Sequence, residues 1–205
     1  MASPLAHFTT RIAYGARQLP RVAWYVGHSL VMRRLADMVR EREGASTRPP
    51  PQAKASIPDR LHLYADMAEL FRQDLTNVEA GIYPLPADHD GTLPAVLNRS
   101  RLFFEDLPNI HRRRKEGNFK EVLNDDTRVR RPGYYLQNFH FQSGGWMTED
   151  SARRYDTQVE VLFNGTANAT RRQALVPLHE IFAGRDQRRL RLLDVGAARH
   201  AFWIS

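Results

Sequence analysis

Residues 190–196 read Leu190-Arg191-Leu192-Leu193-Asp194-Val195-Gly196. A short apolar run that ends in Asp-x-Gly is how many nucleotide-type cofactor sites begin. The apolar residues suit a buried strand. The glycine lets the backbone turn tightly towards a ligand, and the N-terminus of a following helix offers free N–H groups. The pentapeptide from Leu192 to Gly196 is only moderately specific taken alone. A buried strand followed by an ordinary turn fits it equally well.

Working back from this stretch, the chain reads as helix after helix. The spacing predicts a helix from Ala167 to about Phe182 ending at Ala183-Gly184, with Pro177 inside it. Before that, Thr148 is the expected N-cap of a helix running to about Phe163, with Glu149 and Asp150 in its first turn. Tyr155, Val159, Leu162 and Phe163 are its expected inward face, and Asn164-Gly165 stops it. An aromatic block from Tyr134 to Phe141 runs on to Trp146. Further back, Pro94 opens a helical stretch carrying Leu97, Phe103 and Phe104, which Pro108 kinks or breaks. His111 to Lys115 (HRRRK) forms a cationic face there.

A helix with Ser56 as N-cap and Pro58 in its first turn carries an apolar stripe of Leu63, Met67, Leu70, Phe71, Leu75 and Val78. Gly81 closes it, and Tyr83-Pro84-Leu85-Pro86 cannot continue it. Ahead of a linker containing Pro49-Pro50-Pro51, Pro20 is expected in the first turn of a helix bearing Trp24, His28, Val31, Leu35, Met38 and Val39, with Gly44 at its end.

Composition narrows the function classes. The 205 residues are 42% hydrophobic and 26% charged, ordinary usage for a folded chain. No apolar run reaches the ~18–20 residues of a membrane-spanning helix. With Cys 0, a disulfide scaffold, a thiolate nucleophile and a Cys-ligated metal are excluded, and a reducing, cytoplasmic setting fits. The net charge of +7 comes from 30 Lys+Arg, of which only Lys54, Lys115 and Lys120 are lysine. A basic surface permits nucleic acid or acidic partners, but no nucleic-acid motif accompanies it, so that partner is not favoured. The first acidic residue is Asp37, so the N-terminus superficially suits a mitochondrial presequence; a folded basic helix is the preferred reading.

The remaining motifs carry little chemistry. Asp88-His89-Asp90-Gly91 lacks the further oxygen ligands of a calcium loop and reads as a polar turn. His179-Glu180 lacks the second histidine of a zinc helix. No metal site is expected.

The stretch YYLQNFHFQSGGWMTEDSARRYDTQVEVLFNGTANATRRQALVPL, followed by LRLLDVG, resembles a bacterial and plant-plastid family of class I S-adenosylmethionine-dependent methyltransferases. In that family an aromatic FH-x-Q segment and a YD-x-QVE-x-LF-x-G-x-A helix precede motif I, the first strand and glycine loop of the cofactor domain. NVEAGIYPLP resembles the family's N-terminal region. The resemblance implies a predominantly α chain: a helical N-terminal region plus the first β-strand of a Rossmann-like α/β methyltransferase domain. It implies methyl transfer from S-adenosylmethionine to an unknown acceptor, with Asp194 and Gly196 beside the cofactor. It further implies that Tyr155, Arg171 and Arg172 approach the cofactor's amino-acid end. His140, Gln142 and Trp146 are lid or substrate-wall candidates, or core.

After Gly196 the pattern departs from motif I. A family member continues Gly-x-Gly, whereas this chain reads Ala197-Ala198-Arg199-His200-Ala201-Phe202-Trp203-Ile204-Ser205. Gly196 to Ile204 can be encoded as GGT GCG GCA CGG CAC GCT TTC TGG ATT. Restoring one C after GG yields Gly-Cys-Gly-Thr-Ala-Arg-Phe-Leu-Asp, a motif I continuation. The expectation is a one-nucleotide shift and a catalytically incomplete chain. The expected organisation is 1–44 N-terminal helical segment, 45–58 Pro-rich linker, 59–132 helical region, 133–189 aromatic segment and helices, 190–196 first strand, and 197–205 aberrant tail. A short basic helical binding protein for nucleic acid or acidic partners is the alternative from a different class.

Overall fold

The computed structural model describes residues 4–43, 58–88, 90–118, 120, 136, 141, 143–144 and 148–193. These are predominantly helical and contain no strand. No helix among them is long and apolar enough to cross a membrane. Two compact units are formed, one from Met1–Asp88 with Phe163–Ser205, the other from His89–Leu162.

In the first unit, α1 spans Pro4–Glu43. It begins well before the expected start, and Pro20 lies inside it rather than in its first turn. A proline there removes one backbone hydrogen bond and crowds the carbonyl four residues earlier. Side-chain anchors to the rest of the unit flank it: Tyr14 and Gln18 before, Arg21 after. The expected apolar face of α1 is also corrected. Tyr14, Gln18, Arg21, Tyr25 and His28 are buried, whereas Val31, Leu35 and Met38 are exposed.

Helix α2 spans Arg60–Glu79 and is capped by Asp59, whose carboxylate accepts from the His62 N–H at 2.9 Å. Asp59 therefore takes the role expected of Ser56, which lies outside the described residues. The cap explains why the Asp59 carboxyl lies below its usual range: the His62 backbone N–H and imidazole both favour the anion. Gly81, at φ 73, ends the helix as expected. The Ile82 N–H reaches the Asn77 carbonyl and the Gly81 N–H that of Val78, both at 3.0 Å. This paired return is one that a left-handed glycine makes possible.

The single expected helix over 167–182 is two: α5, Ala167–Arg172, and α6, Leu175–Phe182, which are named after α3 and α4 below in chain order. The break falls at Gln173-Ala174 because Pro177 has no N–H for the Gln173 carbonyl and its ring would crowd it. Helix α5 packs on α2, and α2 on α1. Beyond a single 3₁₀ turn at Gln187–Arg189, residues 190–193 are irregular. The buried strand expected there is not formed over these four residues: Leu192 is 56% and Leu193 84% exposed. A strand needs a neighbour for its N–H and C=O groups, and the described residues hold none. Asp194, Val195 and Gly196 lie outside the described residues.

In the second unit, α3 spans Leu93–Glu116 and α4 spans Glu149–Leu162, packed on one another. Pro94 lies in the first turn of α3 as expected, while the helix runs through Pro108 without ending. Thr148 accepts from the Ser151 N–H at 3.1 Å and so caps α4. The inward face of α4 is displaced from the expected one. Ser151, Thr157, Glu160 and Val161 are buried; Tyr155, Leu162 and Phe163 are exposed.

Candidate functional site

The most constrained chemistry in the chain is a buried ionic network in the first unit. Asp74, on α2, is 0% exposed. A carboxylate so far from water survives only if its lone pairs are filled and its charge is matched. Both conditions hold. Tyr14 Oη donates to Asp74 Oδ2 at 2.6 Å and Tyr83 Oη to Oδ1 at 2.7 Å. Arg172 Nε donates to Oδ1 at 3.0 Å and Nη2 to Oδ2 at 2.7 Å, the bidentate fork that fits a guanidinium to a carboxylate.

The same guanidinium holds a second anion. Arg172 Nη1 donates to Asp88 Oδ1 at 2.6 Å, and Gln18 Nε2 donates to Asp88 Oδ2, also at 2.6 Å. Asn77 Nδ2 donates to Tyr83 Oη at 3.2 Å and to the Gln173 side-chain oxygen Oε1 at 3.1 Å. One cation therefore faces two carboxylates, with amide and phenol donors spreading the excess negative charge.

The electrostatics follow this geometry. Burial, and then donation to the Asp74 carboxylate, pushes the Tyr14 hydroxyl far above the usual phenol range. The same two causes push Tyr83 up to about 12. Burial works against the Arg172 charge, but the hydrogen bonds and charges of Asp74 and Asp88 outweigh it and hold its pKa above its ordinary value. Neither tyrosine is poised as a base near neutral pH. The network ties α1, α2 and α5 together.

Two further contacts fasten α1 to the return of the chain. Arg21 Nη1 donates to the Gly165 carbonyl at 2.8 Å. Gly165 has φ 82, and a Cβ there would lie 3.1 Å from the Val22 Cα, so the close approach to α1 requires glycine.

The second unit has its own polar knot. Asp106, on α3, is buried and accepts from the Ser143 N–H at 3.1 Å and from the Ser143 hydroxyl. Arg113 Nη1 donates to Ser143 Oγ at 2.8 Å and to the Phe141 carbonyl at 3.2 Å. Arg113 is thus buried, and the HRRRK run is not a continuous solvated face. The knot fixes the chain at Phe141 and Ser143, either side of the lid candidate Gln142. Gln142, His140 and Trp146 themselves lie outside the described residues.

Among the other expected site residues, Arg172 is occupied by Asp74 and Asp88, and the side-chain bond of Arg171 among the described residues is local, Nη1 to Asn168 Oδ1 at 3.1 Å. Tyr155 is exposed on α4, in the other unit. Asp194 and Gly196 lie outside the described residues. No cluster of His, Asp and Glu suited to a metal occurs among the described residues. Sequence reading missed Asp74, Asp106 and Ser143, and took Asp88 for part of a polar turn, whereas it accepts from Arg172 and Gln18. Asp74 had one signal, a lone acid set between Phe71 and Leu75 of an apolar stripe. Comparison with family models, curated proteins and solved structures found no match.

Proposed function

We propose that this chain is the helical N-terminal portion of a cytoplasmic S-adenosylmethionine-dependent methyltransferase. The observation that carries the reading is the junction after α6. An apolar Leu192-Leu193 pair stands exposed directly before Asp194-Val195-Gly196, behind helices bearing the YDTQVEVLF and NGTANA segments. An exposed apolar run leading into Asp-x-Gly is what a first sheet strand presents before its neighbours pair with it.

On this reading the first unit is a platform. Arg172 acts as a positioning residue: its fork to Asp74 and its bond to Asp88 fix α5, and so hold Arg171, which is the residue of the pair that reaches towards the cofactor's carboxylate. Asp194 and Gly196 approach the cofactor at the turn after the strand. Methyl transfer of this kind depends mainly on in-line positioning of the methyl sulfonium, so the protein contributes geometry more than a nucleophile.

The test pairs the nucleotide sequence past Gly196 with calorimetry. The 205-residue chain is expected to bind S-adenosylmethionine no tighter than about 1 mM, and the chain continued in the restored frame in the micromolar range. A gene without a methyltransferase-like continuation in the shifted frame, or a continued chain that does not bind, refutes the proposal.

A further inference from the structure

Helix α1 is amphipathic in reverse. Its buried face carries Tyr14, Gln18, Arg21, Tyr25 and His28, held by the contacts described above. Nearly opposite, at 100° per residue, runs an apolar line that faces water. Its large members, Leu5, Phe8, Ile12, Leu19 and Leu30, are 72%, 61%, 56%, 71% and 49% exposed. No charged residue interrupts that line between Leu5 and Leu30; Arg33 and Arg34 end it. Over 25 residues it is about 38 Å long and about 10 Å wide. Exposed apolar patches of that size mark interaction surfaces.

The spacing identifies the occupant. Along the line the steps are 3, 4, 4, 3, 4, 4 and 3 residues, the same in both directions about a point midway between Arg17 and Gln18. Turning a second copy end for end about that point sets Leu5 against Leu30, Phe8 against Gly27, Ile12 against Ala23 and Ala16 against Leu19. Three of the four pairs put a large side chain opposite a small residue. At Gly27 a Cβ would meet nothing within 4 Å, so the surface there is open to receive a ring. A parallel pair would stack Phe8 on Phe8 and leave Gly27 facing Gly27. Matching of a patch with its own reverse is the property of a two-fold interface.

We propose that α1 is the interface of an antiparallel homodimer, two copies of this chain joined along the Leu5–Leu30 line. This surface is independent of the methyltransferase reading. Two such stripes remove on the order of 1,000 Å² from water, the lower end for specific interfaces, which suits a dissociation constant in the micromolar range.

Sedimentation velocity of the full chain from about 1 to 200 µM spans that range. The expected result is monomer at the low end and dimer at the high end. Ile12→Glu is expected to abolish the dimer, with far-ultraviolet circular dichroism unchanged because the position is exposed. Combining Ile12→Glu with Ala23→Arg restores it, because antiparallel pairing brings each new carboxylate against a new guanidinium, twice per dimer. A parallel pair would set like charges together. The proposal is overturned if the chain stays monomeric throughout, if Ile12→Glu still dimerises, or if the double variant stays monomeric. A monomer that co-sediments with phosphatidylserine–phosphatidylcholine vesicles makes the stripe a membrane face and overturns it as well.

Discussion

Replacing Arg172 by leucine removes the only cation bonded to Asp74 and Asp88 among the described residues, and its cost can be worked from the contacts. Three charge-assisted hydrogen bonds, at 3.0, 2.7 and 2.6 Å, are lost together. Asp74 keeps the hydroxyls of Tyr14 and Tyr83, and Asp88 keeps the Gln18 amide. Removing one partner of a buried ion pair costs about 3–5 kcal/mol, since the other charge is left in a poor solvent. The surviving donors place Arg172→Leu at the lower end of that range. For a chain of this length about 3 kcal/mol lowers Tm by roughly 6–12 °C. The six residues of α5 are too few to be helical alone, so their amide protons should exchange faster in the variant. Thermal melts by circular dichroism, with hydrogen exchange over residues 167–172, measure both effects. Arg171→Leu is the control: its side-chain bond among the described residues, to Asn168, is local, and the expected cost is under about 0.5 kcal/mol. A loss below about 1 kcal/mol for Arg172→Leu would refute the reasoning.

Two other outcomes are expected. Gly165→Ala should destabilise by roughly 1–3 kcal/mol, through a left-handed backbone and the 3.1 Å approach to Val22, as read by urea denaturation. A neutral effect would show that α1 yields at that point. Alkaline pH should weaken the first unit. Tyr83 rises from 10.0 to about 12 on folding, so the folded state holds its proton where the unfolded chain releases it. That contribution, roughly 2 kcal/mol, is complete below pH 10 and lost as the pH climbs towards 12. Tyr83→Phe should flatten the decline in Tm over that interval.

Three local signals that act over one turn were legible. Thr148 caps α4, Gly81 closes α2, and Pro94 opens α3, because each works through neighbouring backbone groups. Pro177 carried the information for the break at Gln173, although a continuous helix was expected. The inward faces were less legible. Periodicity finds an apolar stripe and takes it to be buried, but α1 buries its polar and aromatic side. Helix α2 likewise buries Asp74 and Asn77 between its apolar residues. Asp74 and Arg172 are 98 residues apart, and no local pattern pairs them. Likewise the cationic run at His111–Lys115 gave no sign that Arg113 turns inward to Ser143.

Gln18 and Arg21 sit one turn apart on α1. The first holds Asp88, where the chain leaves the first unit; the second holds Gly165, where it comes back. The two ends of the excursion are therefore tethered to the same short stretch of one rod. His89–Leu162 is an insertion in the chain of the first unit, and joining the two tethered ends by a short linker asks little of chain entropy. The first unit is therefore expected to keep its helices when residues 89–162 are replaced by a short linker.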